Sequence, residues 1–169
     1  MTSAATQTLR FSNIYLENWR NFAHVDVPLQ NRAFLVGPNA AGKSNLLDAF
    51  RFLRDIVTLG GFQQAVRDRR GVSRLRNLAA RRYPDIVIDV SMQEKDEATW
   101  RYRIAFAQDN RSNPILKEER VWQGDNPVLV RPNTEDGLDA ARLGQTYLEQ
   151  TIANREFREI ADFFSTISY

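Results

Sequence analysis

The sequence predicts an α/β fold: an N-terminal β-hairpin, a strand that runs through a glycine-rich loop into a helix, and an antiparallel β meander followed by helices. Three observations predict it. The apolar run Ala33-Phe34-Leu35-Val36 ends at Gly37, and beyond the loop Leu46, Phe50, Leu53 and Val57 recur at helical spacing. Residues 86–106 switch to a two-residue alternation, with Ile86, Ile88, Val90 and Met92 on one face and Trp100, Tyr102, Ile104 and Phe106 on another. Ahead of both, residues 9–29 contain two strand-like segments joined by a short polar turn.

A chain of 169 residues suffices for one domain with a real core, or for part of a larger one. With 43% hydrophobic and 26% charged residues its composition is that of a soluble globular protein. No apolar run has the length of a membrane span, and the first eight residues lack the apolar stretch of a signal peptide. No membrane association is expected, and a cytoplasmic location is consistent with this. Cysteine is absent, which excludes disulfides and thiolate metal sites.

Taken in order, Leu9–Glu17 reads as a strand with Phe11, Ile14 and Tyr15. After Asn18-Trp19-Arg20-Asn21, the alternation of Ala23, Val25, Val27 and Leu29 gives its hairpin partner. Ala33–Val36, wholly apolar, reads as a strand buried on both faces. The helix after the loop runs from Lys43 to about Leu59, where Gly60-Gly61 stops it, with Asp48, Arg51 and Asp55 toward another side. A second helix spans Phe62–Arg69, and a weaker helical pattern covers Leu75–Arg82 before Tyr83-Pro84. The alternating strands 86–92 and 100–106 form a hairpin across Gln93-Glu94-Lys95-Asp96-Glu97. Strands near Ile115–Trp122 and Val128–Arg131 extend the meander, which is expected as a peripheral addition to the sheet that carries the glycine-rich loop. Pro132–Leu138 is loop-like, Tyr147–Phe164 carries one or two helices, and Ser165–Tyr169 resembles the start of a strand. The parts are thus 1–60 (hairpin, strand, loop and helix), 61–84 (helical and arginine-rich), 85–131 (antiparallel strands) and 132–169 (loop and helices).

Net charge is only +2, but 20 of the 23 basic residues are arginine. Nine lie between Arg51 and Arg82 against two acids, Asp55 and Asp68. Arginine offers a planar fork suited to phosphate and carboxylate. The cluster reads first as a solvated helical surface pairing with acids elsewhere, with a nucleic-acid-facing surface as the alternative.

The chemistry is concentrated in Gly37-Pro38-Asn39-Ala40-Ala41-Gly42-Lys43-Ser44, which has the G-x-x-x-x-G-K-[ST] spacing of a phosphate-binding P-loop (Walker A motif). Glycines let successive backbone N–H groups turn inward toward phosphate oxygens. The helix behind adds its unpaired N–H groups and the positive end of its dipole. Lys43 is the catalytic candidate, reaching the β- and γ-phosphates of ATP, and Ser44 is the magnesium ligand. Chance produces this pattern in about one chain in two hundred of this length.

The run Leu16-Glu17-Asn18-Trp19-Arg20-Asn21-Phe22, followed by Gly37–Ser44 and Asn45-Leu46-Leu47-Asp48-Ala49, resembles the N-terminal lobe of ABC-type AAA ATPases of the RecF/SMC/OLD group. The stretch from Gly60-Gly61-Phe62 through Leu75-Arg76-Asn77-Leu78-Ala79 is similar to a subgroup of bacterial ATPases. The resemblance implies an ATP-driven homodimer or hetero-assembly in which two heads enclose ATP and Mg2+ between the P-loop of one and a signature motif of the other. It implies work in DNA repair, chromosome maintenance or phage defence. By position Arg20 and Asn21 resemble residues that approach the nucleotide, and bracing of the hairpin is the alternative for Arg20. Asn45 continues the loop motif.

The chain also departs from that pattern. A Walker B strand of four apolar residues ending in Asp-Glu is missing: the nearest run, Ile86-Val87-Ile88-Asp89, continues with Val90. Asp89 is expected as a surface strand residue. No Leu-Ser-Gly-Gly-like signature occurs, the single histidine, His24, falls in the hairpin, and Gln145 and Gln150 are positional Q-loop candidates without a motif. The expectation is an incomplete ATPase lobe that hydrolyses ATP only with its other half or a partner. A non-hydrolysing, nucleotide-dependent assembly or nucleic-acid-binding module is the alternative, followed by a small P-loop kinase.

Overall fold

The computed structural model describes residues 9–80, 82, 84–95 and 97–168. Six antiparallel strands form one sheet in the order β2-β1-β3-β4-β5-β6: β1 Arg10–Trp19, β2 Phe22–Pro28, β3 Ile86–Glu94, β4 Glu97–Gln108, β5 Pro114–Gln123 and β6 Asn126–Arg131. The predicted meander is therefore no appendage. β3 pairs along β1, with Ile14 opposite Val90 and Leu16 opposite Ile88, so hairpin and meander share one sheet with β1 and β3 inside it. Between them the chain leaves through the glycine-rich loop and three helices, α1 Lys43–Thr58, α2 Gly61–Asp68 and α3 Val72–Leu75. After β6 come α4 Thr134–Leu138, a 3-10 turn at Ala140–Gly144, and α5 Arg158–Ser165.

The two-residue alternation decides which face is dry. Ile14, Leu16, Ile86, Ile88, Val90, Met92, Tyr102, Ile104 and Phe106 are fully buried in a core shared with Phe52, Leu53 and Ile56 of α1, Phe62 of α2, and Ile160 and Phe164 of α5. Aromatic rings tie the layers together: Phe52 stacks on Phe106 at 5.4 Å and meets Trp19 at 5.4 Å, while Tyr102 meets Phe164 edge-on at 5.8 Å. The other face is a ladder of charge. Asp89 binds Arg101 at 2.6 Å and Arg103 at 3.1 Å, and Arg103 continues to Glu118 at 2.7 Å.

A second charged cluster fastens the C-terminal segment to β5. Glu119, wholly buried, accepts hydrogen bonds from Tyr102 Oη, Arg131 Nη1 and the backbone N–H groups of Tyr147 and Leu148. Arg131 also forks onto Asp136, which caps α4 reciprocally with Asn133. Burial pushes the Glu119 carboxyl up, against the pull of these donors.

Four sequence expectations are corrected. Ala33–Val36 is not a buried strand: residues 31–40 are all exposed, with Phe34 at 86% and Val36 at 93%. Both sides of β1 are taken by β2 and β3, so no slot beside it remains for this run. The helical pattern at Leu75–Arg82 fails because Leu75–Asn77 instead pairs with the end of β1, through Arg20 N–H to Leu75 O and Asn77 N–H to Asn18 O at 2.8 Å. Arg81 and Tyr83 of that expectation, Asp96 of the β3–β4 turn, the N-terminal residues 1–8 and Tyr169 lie outside the described residues. Asp89 is buried rather than a free surface residue, since two guanidinium groups cover it. At the C-terminal end, Thr166–Ser168 forms no strand after α5.

Candidate phosphate-binding site

Gly42 sits at the N-cap of α1 with φ 99°, a left-handed conformation open to glycine, and among the described residues no side chain caps the helix. The first-turn N–H groups of α1 are therefore directed out of an uncapped N-terminus, the arrangement that favours anions. Space demands glycine here as well: a Cβ on Gly42 would lie 2.5 Å from Asn21 Nδ2 and 2.9 Å from both Asn21 Oδ1 and Phe22 Cζ.

The Lys43 ammonium turns back onto its own loop, donating to Gly37 O and, at 2.8 Å, to Pro38 O. Ala41 N–H closes a turn onto Pro38 O at 3.2 Å, and Ala40 takes a positive φ of 69°. Residues Gly37–Ala41 and Ser44 are exposed, leaving the Ser44 hydroxyl at the open helix end. A helix N-terminus without a side-chain cap, an ammonium held by backbone carbonyls and an adjacent hydroxyl form a donor set suited to a polyphosphate with a divalent cation.

The β1–β2 turn is the second wall. Trp19 Nε1 donates to Asn45 O at 2.7 Å, and Asn45 Nδ2 donates to Asn21 Oδ1 at 2.8 Å. The structure thus brings Asn21 and Asn45 together beside Gly42. Arg20, with φ 52°, instead aims its guanidinium at Asp48, with Nε at 3.0 Å and Nη2 at 2.7 Å.

Asp48 was not expected in the site, although its place was legible: it stands four residues after Ser44, one turn along the same helical stripe. It holds Arg20 and Arg69, and Arg69 reaches on to Asp55 at 2.9 Å. Burial pushes the Asp48 carboxyl up, but the hydrogen bonds and charges of Arg69 and Arg20 outweigh it and leave the pKa below its ordinary value. Arg20, Asp48, Asp55, Asp68, Arg69, Arg70 and Arg74 line a polar cleft of about 680 Å³ along this stripe.

Other sequence candidates lie apart from the loop. Asp89 projects from the sheet face opposite Ile88 and Val90, hence opposite α1, and is held by its two arginines. Gln150 donates to Thr146 O, and Gln145 O accepts from Arg131. His24 is exposed, in edge contact with Tyr15 at 5.0 Å.

Residues 32–144, more than half of the chain, match the family described as AAA domain, putative AbiEii toxin, Type IV TA system. The chain is similar to Endonuclease GajA of Bacillus cereus (strain VD045), with 35% identity over 92 residues, covering 54% of this chain and 15% of that protein. A solved structure of the recombination mediator protein RecF-ATPrS in the RecFOR pathway aligns at a TM-score of 0.40 and 20% identity, over 72% of this chain and 29% of that one.

Proposed function

The chain belongs to this AAA-domain family, and from that premise we propose that it is the ATP-binding lobe of an ABC/SMC-type AAA ATPase, acting in DNA repair, chromosome maintenance or phage defence. The observation that carries the nucleotide reading is the uncapped start of α1 behind a left-handed Gly42, with Lys43 and Ser44 beside it. Gly37–Asn45 cradles the phosphates, the Lys43 ammonium exchanges the carbonyls of Gly37 and Pro38 for phosphate oxygens, and Ser44 holds Mg2+. Bound Mg2+ supplies neutralisation of phosphate charge. Asn21 supports the loop from the side and Arg20 braces the hairpin turn on Asp48.

The nucleic-acid part of the reading is supported by the relative named an endonuclease, of whose length this chain spans 15%. Work in the cytoplasm accords with a structure in which, among the described residues, no helix is long and apolar enough to cross a membrane.

The lobe works with a second half or partner chain, as a homodimer or hetero-assembly. Ala33–Val36 supports this, because a wholly apolar run leading into the loop stands exposed and, among the described residues, pairs with no strand. The absence of an Asp-Glu pair after four apolar residues points the same way. The test is ATP turnover. The chain alone should bind ATP·Mg2+ while releasing no phosphate above a Lys43→Ala control, and Lys43-dependent hydrolysis by the isolated chain would refute the lobe reading.

A further inference from the structure

The cleft beside α1 contains two arginines that the ion-pair network does not use. Arg69 is committed to Asp48 and Asp55, Arg20 to Asp48, and Arg54 also to Asp55. Both interior carboxylates are thereby neutralised. Arg70 and Arg74 are exposed and, among the described residues, neither has an ion-pair partner. The remaining acid of the cleft, Asp68, accepts from Gln64 at 2.6 Å.

The backbone presents these two side chains deliberately. Arg70 takes φ 66° and Gly71 φ 90°, a turn closed by Arg70 N–H to Arg67 O at 2.9 Å and Gly71 N–H to Val66 O at 3.1 Å. A left-handed arginine is uncommon for a residue with a Cβ. The turn ends α2 and starts α3, and α3 is pinned to the β1–β2 turn through Leu75 and Asn77, the latter donating from Nδ2 to Arg20 O at 3.0 Å. Arg20 thus belongs to both the cleft and the turn whose Asn21 touches Gly42.

We infer that Arg70 and Arg74 form a second phosphate site, distinct from the P-loop, that grips the phosphodiester backbone of a nucleic acid. Asp48 and Asp55 are neutralised by arginine and only Asp68, bonded to the neutral Gln64 amide, keeps its charge, so the two guanidinium forks outnumber the remaining acid and suit two successive phosphates. Among the described residues no aromatic side chain lines the cleft, so contact is with the backbone, without base stacking and without sequence preference. The assignment rests on the nucleic-acid part of the proposed function and is independent of the ATP part.

The test is a salt titration of a fluorescein-labelled 20-base-pair DNA duplex by fluorescence anisotropy, using the full chain, Arg70→Glu/Arg74→Glu, each single variant, and Arg111→Glu in the β4–β5 turn as the control matched in charge to a single variant. Each phosphate contact contributes about 0.9 to the slope of log affinity against log salt. The double variant should lose about 1.8 from that slope and bind roughly tenfold or more weakly at 100 mM salt, with ATP affinity unchanged and Arg111→Glu near wild type. Equal slopes in wild type and double variant, with DNA still bound, would overturn the site but leave the nucleic-acid reading standing. Absence of salt-dependent DNA binding by wild type would overturn both, as would an Arg70/Arg74-dependent site that takes inorganic pyrophosphate and no DNA. The ATP reading stands or falls separately on Lys43.

Discussion

Replacing Gly42 with alanine tests whether the loop geometry, rather than its composition, makes the site. The new methyl group meets two costs. Holding an L-residue at φ 99° costs about 1–2 kcal/mol. Contact at 2.5 Å with Asn21 Nδ2 and 2.9 Å with Phe22 Cζ forces a shift costing about 1–3 kcal/mol. The exposed loop can relax by detaching the first turn of α1 from the β1–β2 turn, which sacrifices the Trp19–Asn45 and Asn45–Asn21 hydrogen bonds. At about 1 kcal/mol each, unfolding free energy should fall by only about 1–2 kcal/mol in a urea titration. Nucleotide binding requires the original loop, so ATP affinity measured by calorimetry should fall at least about thirtyfold, the equivalent of 2 kcal/mol. In an Asn21→Gly background two of the three close contacts vanish, and the same substitution should cost about fivefold less in affinity. A Gly42→Ala protein that binds ATP within threefold of wild type would refute the reasoning.

Two further predictions concern the charged clusters. Glu119→Ala removes the shared acceptor of Tyr102, Arg131, Tyr147 and Leu148 and leaves the buried Arg131 guanidinium with one carboxylate, Asp136, beside the Arg142 and Gln145 carbonyls, so stability should drop by about 3–5 kcal/mol; a loss under 1 kcal/mol in urea denaturation would contradict the network. Asp48 has its pKa lowered by Arg69 and Arg20 in spite of burial, so its stabilising contribution is full above the unfolded value of about 3.9 and disappears as pH falls through the lower folded value. The stability difference between wild type and Asp48→Asn should therefore shrink between pH 5 and pH 3, and a constant difference over that range would show that the carboxylate is not held by its arginines.

Much of this fold was legible because its signals are local. The hairpin, α1 with its glycine-rich entry, and the alternating strands β3 and β4 follow from spacing alone, and the likeness of Gly37–Ala49 to RecF/SMC/OLD-type ATPases is borne out by the family match over residues 32–144. Three of the failures involve distant partners. Ala33–Val36 has the composition of a two-sided buried strand, but composition does not reveal whether neighbouring strands exist. Leu75–Asn77 gives up a helical pattern for hydrogen bonds to residues 18–20, more than fifty positions away. Asp89 looked like a surface carboxylate because its covering arginines, 101 and 103, sit on the next strand. The arginine cluster divides in a way spacing cannot show: the Arg69 guanidinium is buried against Asp48 and Asp55, as the solvated-surface reading half anticipated, while Arg70 and Arg74 are exposed and, among the described residues, without an ion-pair partner.

The central claim is that Gly37–Ser44 binds the phosphates of ATP with magnesium, and isothermal titration of wild-type and Lys43→Ala protein with ATP·Mg2+ tests it most directly. Among the described residues Lys43 makes hydrogen bonds only to the carbonyls of its own exposed loop, so the variant should fold with unchanged stability. Its ATP affinity should fall by at least about a hundredfold, in line with the loss of a charge-assisted contact of about 3 kcal/mol. Equal ATP affinity in the two proteins, both folded, would contradict the account.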